Sequence, residues 1–197
     1  MLPAMNSENL SWRFRLLGLL PLAFFLSQGL HYWQTSELGH MFWMCNVGNL
    51  LLAIGLFLGQ PMLIRVAGIW MVPGLVVWFL YVVIPYGVFW SSMLAHIGAS
   101  IVAMIALYKV RVDRSAWLYA LTWYFIVHLM SRWFTPVEMN VNVAQKVQTG
   151  WEQTFTSYWK FWLALALMVT AGLWVLGKVF STLWPAYATE AGDGGVV

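Results

Sequence analysis

Charged residues are scarce in this sequence: they make up 9% of its 197 residues, against about 25% in a typical soluble domain. Because the surface of a soluble globule must face water, so few charges exclude a soluble domain of ordinary composition. The net charge of +3 comes from Lys and Arg that stand singly or in small groups at segment ends, so the charge does not indicate nucleic-acid binding. The only cysteine, Cys45, excludes an intramolecular disulfide.

Hydrophobic residues, in contrast, make up 61% of the chain and fall into six long runs. A membrane-spanning helix needs about 20 mostly apolar residues, because the hydrocarbon core is about 30 Å thick and a helix rises 1.5 Å per residue. The runs cover residues 16–33, 41–59, 62–83, 88–108, 115–134 and 159–183. They lack the period-two alternation of membrane strands. We therefore predict an all-α polytopic membrane helix bundle with about six transmembrane helices.

The two ends of the chain are more polar than these runs. We expect residues 1–15 to form a cytoplasmic tail, residues 16–184 the six-helix transmembrane domain and residues 185–197 a disordered tail. The first apolar run has the flanking basic residues and small-residue spacing of a signal peptide. Its greater length favours an anchoring helix over a cleaved segment.

Lys and Arg are distributed unevenly between the two sides of such a bundle. Seven fall on the side of both termini: Arg13, Arg15, Arg65, Lys109, Arg111, Arg114 and Lys178. Three fall on the opposite side: Arg132, Lys146 and Lys160. Because the loops on the cytoplasmic side carry the excess of Lys and Arg, we predict that both termini are cytoplasmic. The loop of residues 135–158 then faces outward.

Three side chains that can carry chemistry are predicted to lie at one depth. Cys45, His96 and His128 are equally far along the chain from the predicted turns near positions 61 and 112, which places each about 24 Å from the cytoplasmic helix ends. The inner half of the predicted bundle has almost no buried polar side chains. Because polar groups inside a membrane are unfavourable unless they serve function or buried bonds, this asymmetry indicates a pocket near the outer membrane face.

Such a pocket suits a cysteine nucleophile that a histidine activates, because the thiolate is the reactive form and an imidazole accepts its proton. Asn49 lies one turn from Cys45, and Arg132 one turn from His128, where they would hold a carbonyl oxygen or a lipid phosphate. His128 and Asn142 are further candidates for substrate binding. The pocket walls are hydrocarbon, so the predicted partners are membrane lipids, with no nucleic acid and no cofactor.

Simpler interpretations of the same residues remain open. A lone membrane cysteine such as Cys45 commonly serves as a small apolar filler, and His128 would need only one bond to a neighbouring helix. Arg132 would also fit a side chain that reaches to the outer headgroups. Asn142 would fit turn chemistry at the start of the outer loop.

The order of several short motifs resembles that of a known family. Trp-Met-Cys-Asn at residues 43–46 precedes Leu-Ala-His-Ile-Gly around His96, and a helix ending in Arg132 is followed by Val-Asn at residues 141–142. This pattern, over residues 40–145, is similar to the YwaF-like integral membrane proteins of bacteria. Relatives of that family include an ether-phospholipid acyltransferase and, more distantly, androgen-induced lipid hydrolases.

The resemblance implies an intramembrane, thiol-dependent lipid acyl hydrolase or acyltransferase in the bacterial inner (plasma) membrane. It assigns the nucleophile to Cys45 and its base to His96. The chain departs from the pattern in two ways. Thr156-Ser157-Tyr158 stands where an Asn-Tyr pair is expected, and a cysteine stands where the hydrolases use threonine.

Two other classes of function are compatible with the sequence. One is a metal or haem protein in which His96 and His128 share an iron, with His31 and His40 as further candidate ligands. The carboxylates that commonly accept a hydrogen bond from metal-bound histidines are missing at this depth. The other class is a non-catalytic lipid-binding protein or scaffold subunit, which a chain with so little soluble surface allows.

Overall fold

The computed structural model of the protein describes residues 10–83 and 89–186, and this part of the chain is helical apart from its connections. Six main helices follow one another: α1 Trp12–Gln34, α2 Met44–Leu58, α3 Pro61–Trp78, α4 Trp90–Val110, α5 Ala116–Phe134 and α6 Tyr158–Leu183. The predicted turn at residues 84–87 and most of the predicted tails lie outside the described residues. The all-α fold class is confirmed.

Four of these helices, α1, α3, α4 and α6, are long and apolar enough to cross a membrane. They indicate a membrane protein. The other two predicted spans do not meet that standard: α2 has 15 residues, and α5 carries the polar side chains of His128 and Arg132 along its 19 residues. More than half of the residues of α2 are buried between other helices, and a helix shielded in this way does not have to present a uniformly apolar surface to lipid.

Local capping explains where the helices begin and end. Ser11 accepts a hydrogen bond from the backbone N–H of Phe14, so α1 begins at Trp12, and residues 12–15 of the predicted tail are helical. At the end of α2, Gly59 adopts a left-handed conformation with φ of 65°, which glycine accepts readily. Pro61 then occupies the first turn of α3. Proline is tolerated there, because an N–H group in the first turn would have no hydrogen-bond partner within the helix.

Helix α3 is the centre of the bundle, since it packs against α2, α4, α5 and α6. Close approach to α4 depends on Gly68, where an added Cβ would lie 2.6 Å from the side chain of Leu107. The buried indole N–H of Trp70 donates to the carbonyl of Ala120 on α5, at 3.0 Å. Among the described residues, α4 and α5 do not pack along each other, so they do not form the side-by-side hairpin that the matched depths of His96 and His128 assumed.

One end of the bundle, the basic end, collects the starts of α1, α3 and α5 and the ends of α2, α4 and α6. Arg65 ties this end together: its guanidinium donates to the carbonyls of Val110 and Arg111 and pairs with Asp113 at 2.6 Å. The first residues of the predicted C-terminal tail are also fixed here, because a β-bridge joins Val112 to residue 185. The seven cations assigned to one side of the membrane all lie at or near this end.

Candidate functional site

The opposite end, the polar end, is built around the short helix α2. A 15-residue helix is about 22 Å long, whereas α1 and α4, with 23 and 21 residues, are about 31–34 Å long. Helix α2 is therefore roughly 10 Å shorter than α1 and α4, which leaves space beyond its first residue at the polar end. Short 3₁₀ turns, Leu38–Phe42 and Val141–Val143, contact each other and α5 in this space. Irregular backbone at membrane depth requires protein partners or a water-filled cavity.

Asn142 joins these pieces. Its side-chain oxygen accepts from the backbone N–H of Met44, the first residue of α2, at 3.0 Å. Its side-chain nitrogen donates to the carbonyl of Phe42 at 2.7 Å and to the hydroxyl of Ser131 on α5 at 2.8 Å. Because both amide protons of Asn142 are engaged with the protein, its role in this structure is to hold α2, α5 and the connecting turns together.

The C-terminal end of α5 is closed by Gln145 and Arg132. The side-chain nitrogen of Gln145 donates to the carbonyls of Arg132 at 2.8 Å and Thr135 at 3.0 Å, which satisfies groups that a helix end leaves unpaired. Arg132 itself donates to the carbonyl of Ala144 at 2.6 Å and lies over the ring of Tyr158. Arg132 is thus anchored at the C-terminal end of α5.

His128 lies fully within the bundle, with 2% of its surface exposed. The indole N–H of Trp162 donates to its Nε2 atom at 3.0 Å, so the ring proton resides on Nδ1. The Nδ1 atom lies near the backbone of Asn142 without a hydrogen bond of acceptable geometry. With Nε2 engaged by an indole, His128 acts in this structure as a packed link between α5 and α6.

Asn49 connects α2 to α4. Its side-chain nitrogen donates to the carbonyl of Cys45, one turn earlier, at 3.0 Å and to the carbonyl of Ala95 at 2.9 Å. Its side-chain oxygen is buried and has no partner among the described residues. Ala95 belongs to a π-helical turn, Leu94–Gly98, within α4, and such turns occur frequently at functional sites.

His96 lies in the same π-helical turn. Its Nδ1 atom is 2.7 Å from the carbonyl of Ser92, and because a carbonyl only accepts, Nδ1 carries the proton and Nε2 keeps a lone pair. The ring stacks on Trp78 of α3 with centroids 5.0 Å apart. The indole N–H of Trp78 donates to the hydroxyl of Ser92 at 2.7 Å. This arrangement fixes the orientation of His96 and leaves one ring nitrogen able to accept a proton.

Cys45 packs on the same stripe of α3 as His96. An added Cβ at Gly74 would lie 3.8 Å from the Cβ of Cys45, and Trp78, the partner of His96, is one turn further along α3. The two predicted catalytic residues therefore lie in the same part of the bundle. No hydrogen bond joins the half-buried thiol to the imidazole.

A second polar cluster surrounds His40, which the sequence offered only as a further candidate metal ligand. The Nδ1 atom of His40 accepts from the indole N–H of Trp43 at 2.9 Å, and the carbonyl of His40 accepts from Asn46 at 3.0 Å. Burial lowers the pKa of His40 below its ordinary value, while the nearby Glu37 carboxylate acts in the opposite direction. The side-chain oxygen of Asn46 is buried without a partner among the described residues.

Metal binding receives no support from the arrangement of side chains. The described residues contain no group of three or more His, Cys, Asp or Glu that could hold a metal ion. At His128 the nitrogen with the lone pair, Nε2, is already engaged by the indole of Trp162, and His31 stacks on Phe89. The fold and site together define a helical membrane protein with a polar end. No family model, curated protein or solved structure matches this chain.

Proposed function

We propose that the protein crosses the membrane six times, with both termini in the cytoplasm, and that it acts on lipid esters at its polar end as an acyl hydrolase or acyltransferase of a bacterial inner membrane. The excess of Lys and Arg at the basic end supports this orientation. The shielding of α2 by its neighbours supports the count of six, because a shielded helix can cross a bilayer with fewer apolar residues. In α5 the polar side chain of His128 is buried, so it is kept away from lipid.

The observation that carries the enzymatic proposal is the geometry around His96. Its Nδ1–H is fixed on the carbonyl of Ser92, so Nε2 is the atom that accepts a proton, and Cys45 packs on the same stripe of α3. Nucleophile and base commonly tighten their contact only when substrate is bound. The ester carbonyl would bring the two groups into line, with Arg132 orienting the substrate. Asn49 instead holds α2 against α4, because both of its amide protons are donated to the carbonyls of Cys45 and Ala95.

The reaction proceeds in two steps. In the first, the thiol proton passes to Nε2 of His96, the sulfur of Cys45 attacks the ester carbonyl, and the alcohol leaves with that proton. This step leaves an acyl thioester on Cys45. In the second, water or an acceptor hydroxyl attacks the thioester and transfers its proton through His96 to the departing sulfur. Water makes the protein a hydrolase, and an acceptor hydroxyl makes it a transferase.

A lipophilic, thiol-reactive acyl probe tests this proposal in detergent or in vesicles. We expect wild-type protein to be acylated, Cys45→Ala to remain unlabelled, and His96→Gln to react much more slowly. His31→Gln is the matched control, because His31 is another histidine near this end and stacks on an aromatic ring. Equal labelling of the Cys45→Ala variant, or an unchanged rate in His96→Gln, would contradict the assignment.

A non-catalytic lipid-binding or scaffold protein is the second candidate. The observation in its favour is that Cys45 and His96 share no hydrogen bond in this structure. Incubation of the purified protein with ester lipids separates the two candidates: an enzyme releases or transfers the acyl group, whereas a binding protein retains the intact lipid.

A further inference from the structure

An apolar groove lies on the outside of the bundle beside the His96 ring. Its volume is about 390 Å³, and its lining consists of apolar side chains from α3, the residues that follow it, and α4: Leu75, Val76, Trp78, Phe79, Leu80 and Ile97. Trp78 forms the floor, with 5% of its surface exposed. Because Trp78 stacks on His96, one aromatic ring separates the groove from the imidazole.

Two departures from regular α-helix border this groove. The π-helical turn Phe79–Val83 follows α3, and the π-helical turn Leu94–Gly98 interrupts α4. Phe79 and Leu80 from the first and Ile97 from the second are among the groove residues. A π-helical turn inserts one extra residue per turn and displaces the side chains around it, and such turns cluster at functional sites. Their presence on both walls indicates that the groove is a built feature of the fold.

Hydrocarbon is the occupant that this lining fits. The groove opens away from the bundle, toward the region that lipid occupies if α3 and α4 span a membrane. A bound water needs two to four polar partners, and the groove lining offers none. A volume of 390 Å³ lies within the range of about 300–1,000 Å³ for small-molecule sites. Residues 75–80 extend about 8 Å along the helix axis, which accommodates a segment of one chain.

We infer that this groove binds a segment of one acyl chain of a membrane lipid and holds that lipid beside His96. The inference rests on the proposed membrane location of the helices and names the part of the substrate that the proposed enzyme grips. It does not require that Cys45 reacts.

A phosphatidylcholine with a diazirine in one acyl chain tests the groove. The full-length protein in vesicles containing this probe is irradiated, and the adducts are mapped by mass spectrometry. We expect adducts to concentrate on residues 75–80 and on Ile97. Ile97→Trp, which fills the groove from a side chain that is 41% exposed, should reduce labelling of residues 75–80 to the background of other lipid-facing positions. Val76→Trp should do the same from the α3 wall.

Ile101→Trp is the matched control, because Ile101 lies one turn from Ile97 on the same helix and is 57% exposed, yet does not line the groove. Its labelling should equal that of wild type. Adducts spread evenly over the lipid-facing surface, or groove labelling that survives both Ile97→Trp and Val76→Trp, would overturn the inference. Groove labelling should persist in the Cys45→Ala variant, because the inference does not require that Cys45 reacts. If the wild-type protein binds lipid in the groove but transfers no acyl group, that result refutes the proposed chemistry and leaves the inference about the groove intact.

Discussion

At the scale of single residues, side-chain amides hold the polar end together. Asn142, Gln145 and Asn49 each donate to backbone carbonyls of other segments. An uncharged amide satisfies backbone groups inside a membrane with a smaller desolvation penalty than an ionised side chain would incur. This explains how irregular backbone persists beside membrane-spanning helices.

The central position of Asn142 gives the first prediction. Asn142→Ala removes three hydrogen bonds and leaves the N–H of Met44 and the carbonyl of Phe42 without their partner. We expect a loss of about 2 kcal/mol or more in the free energy of unfolding, since each buried unpaired group costs about 1–3 kcal/mol. Thermal unfolding in detergent measures the effect. Glu138→Ala, an exposed change in the same connection, is the control, and equal stability of the two variants would refute the prediction.

The sequence allowed the end of the bundle at which Cys45 and His96 lie to be predicted, but not the partners of these side chains. Helix rise is constant, so counting from the turns places Cys45 and His96 toward the same end. The rotation of each helix about its axis is set by packing, and this decides that Nδ1 of His96 meets Ser92 and that His128 meets Trp162.

At the scale of elements, the length of α2 is the main departure from prediction. The apolar run from residue 41 to residue 59 predicts a full span, yet α2 begins only at Met44, because Trp43 adopts an extended conformation with ψ of 137°. Residues 41–43 are as apolar as the helix that follows, so hydropathy gives no sign of the break. The π-helical turns beside the groove are likewise invisible in composition.

Helix α6 offers a matched pair of glycines for the second prediction. An added Cβ at Gly177 would lie 2.6 Å from the Cβ of Trp117 on α5, whereas one at Gly172 would have no neighbour within 4 Å. We expect Gly177→Ala to force the two helices apart and to lower the free energy of unfolding by about 1–3 kcal/mol. Gly172→Ala should be neutral or stabilising by up to about 1 kcal/mol. Thermal unfolding that ranks the two variants in the opposite order would contradict this packing.

At the scale of the whole molecule, the two ends of the bundle differ in chemistry. The basic end carries seven of the ten Lys and Arg residues and is closed by the partly buried Arg65–Asp113 pair. The polar end carries the amides, the histidines and the thiol. The neighbour relations inside the bundle, with α3 at its centre, could not be predicted from the order of the runs, because short connections fix only the direction of successive helices and not which of them pack side by side.

This difference between the two ends gives the last prediction. The native chain allows a direct test, because Cys45 is its only cysteine. If the basic end faces the cytoplasm and α2 stops short of the outer surface, a membrane-impermeant maleimide should label Cys45 in spheroplasts but not in inverted vesicles. Ser115→Cys in a Cys45→Ala background tests the other face, because Ser115 is exposed at the basic end; it should show the opposite pattern.

Labelling of Cys45 only in inverted vesicles would reverse the orientation. Labelling only by permeant N-ethylmaleimide would mean that protein or lipid fills the space above α2, and the second step of the proposed hydrolysis would then lack its route for water.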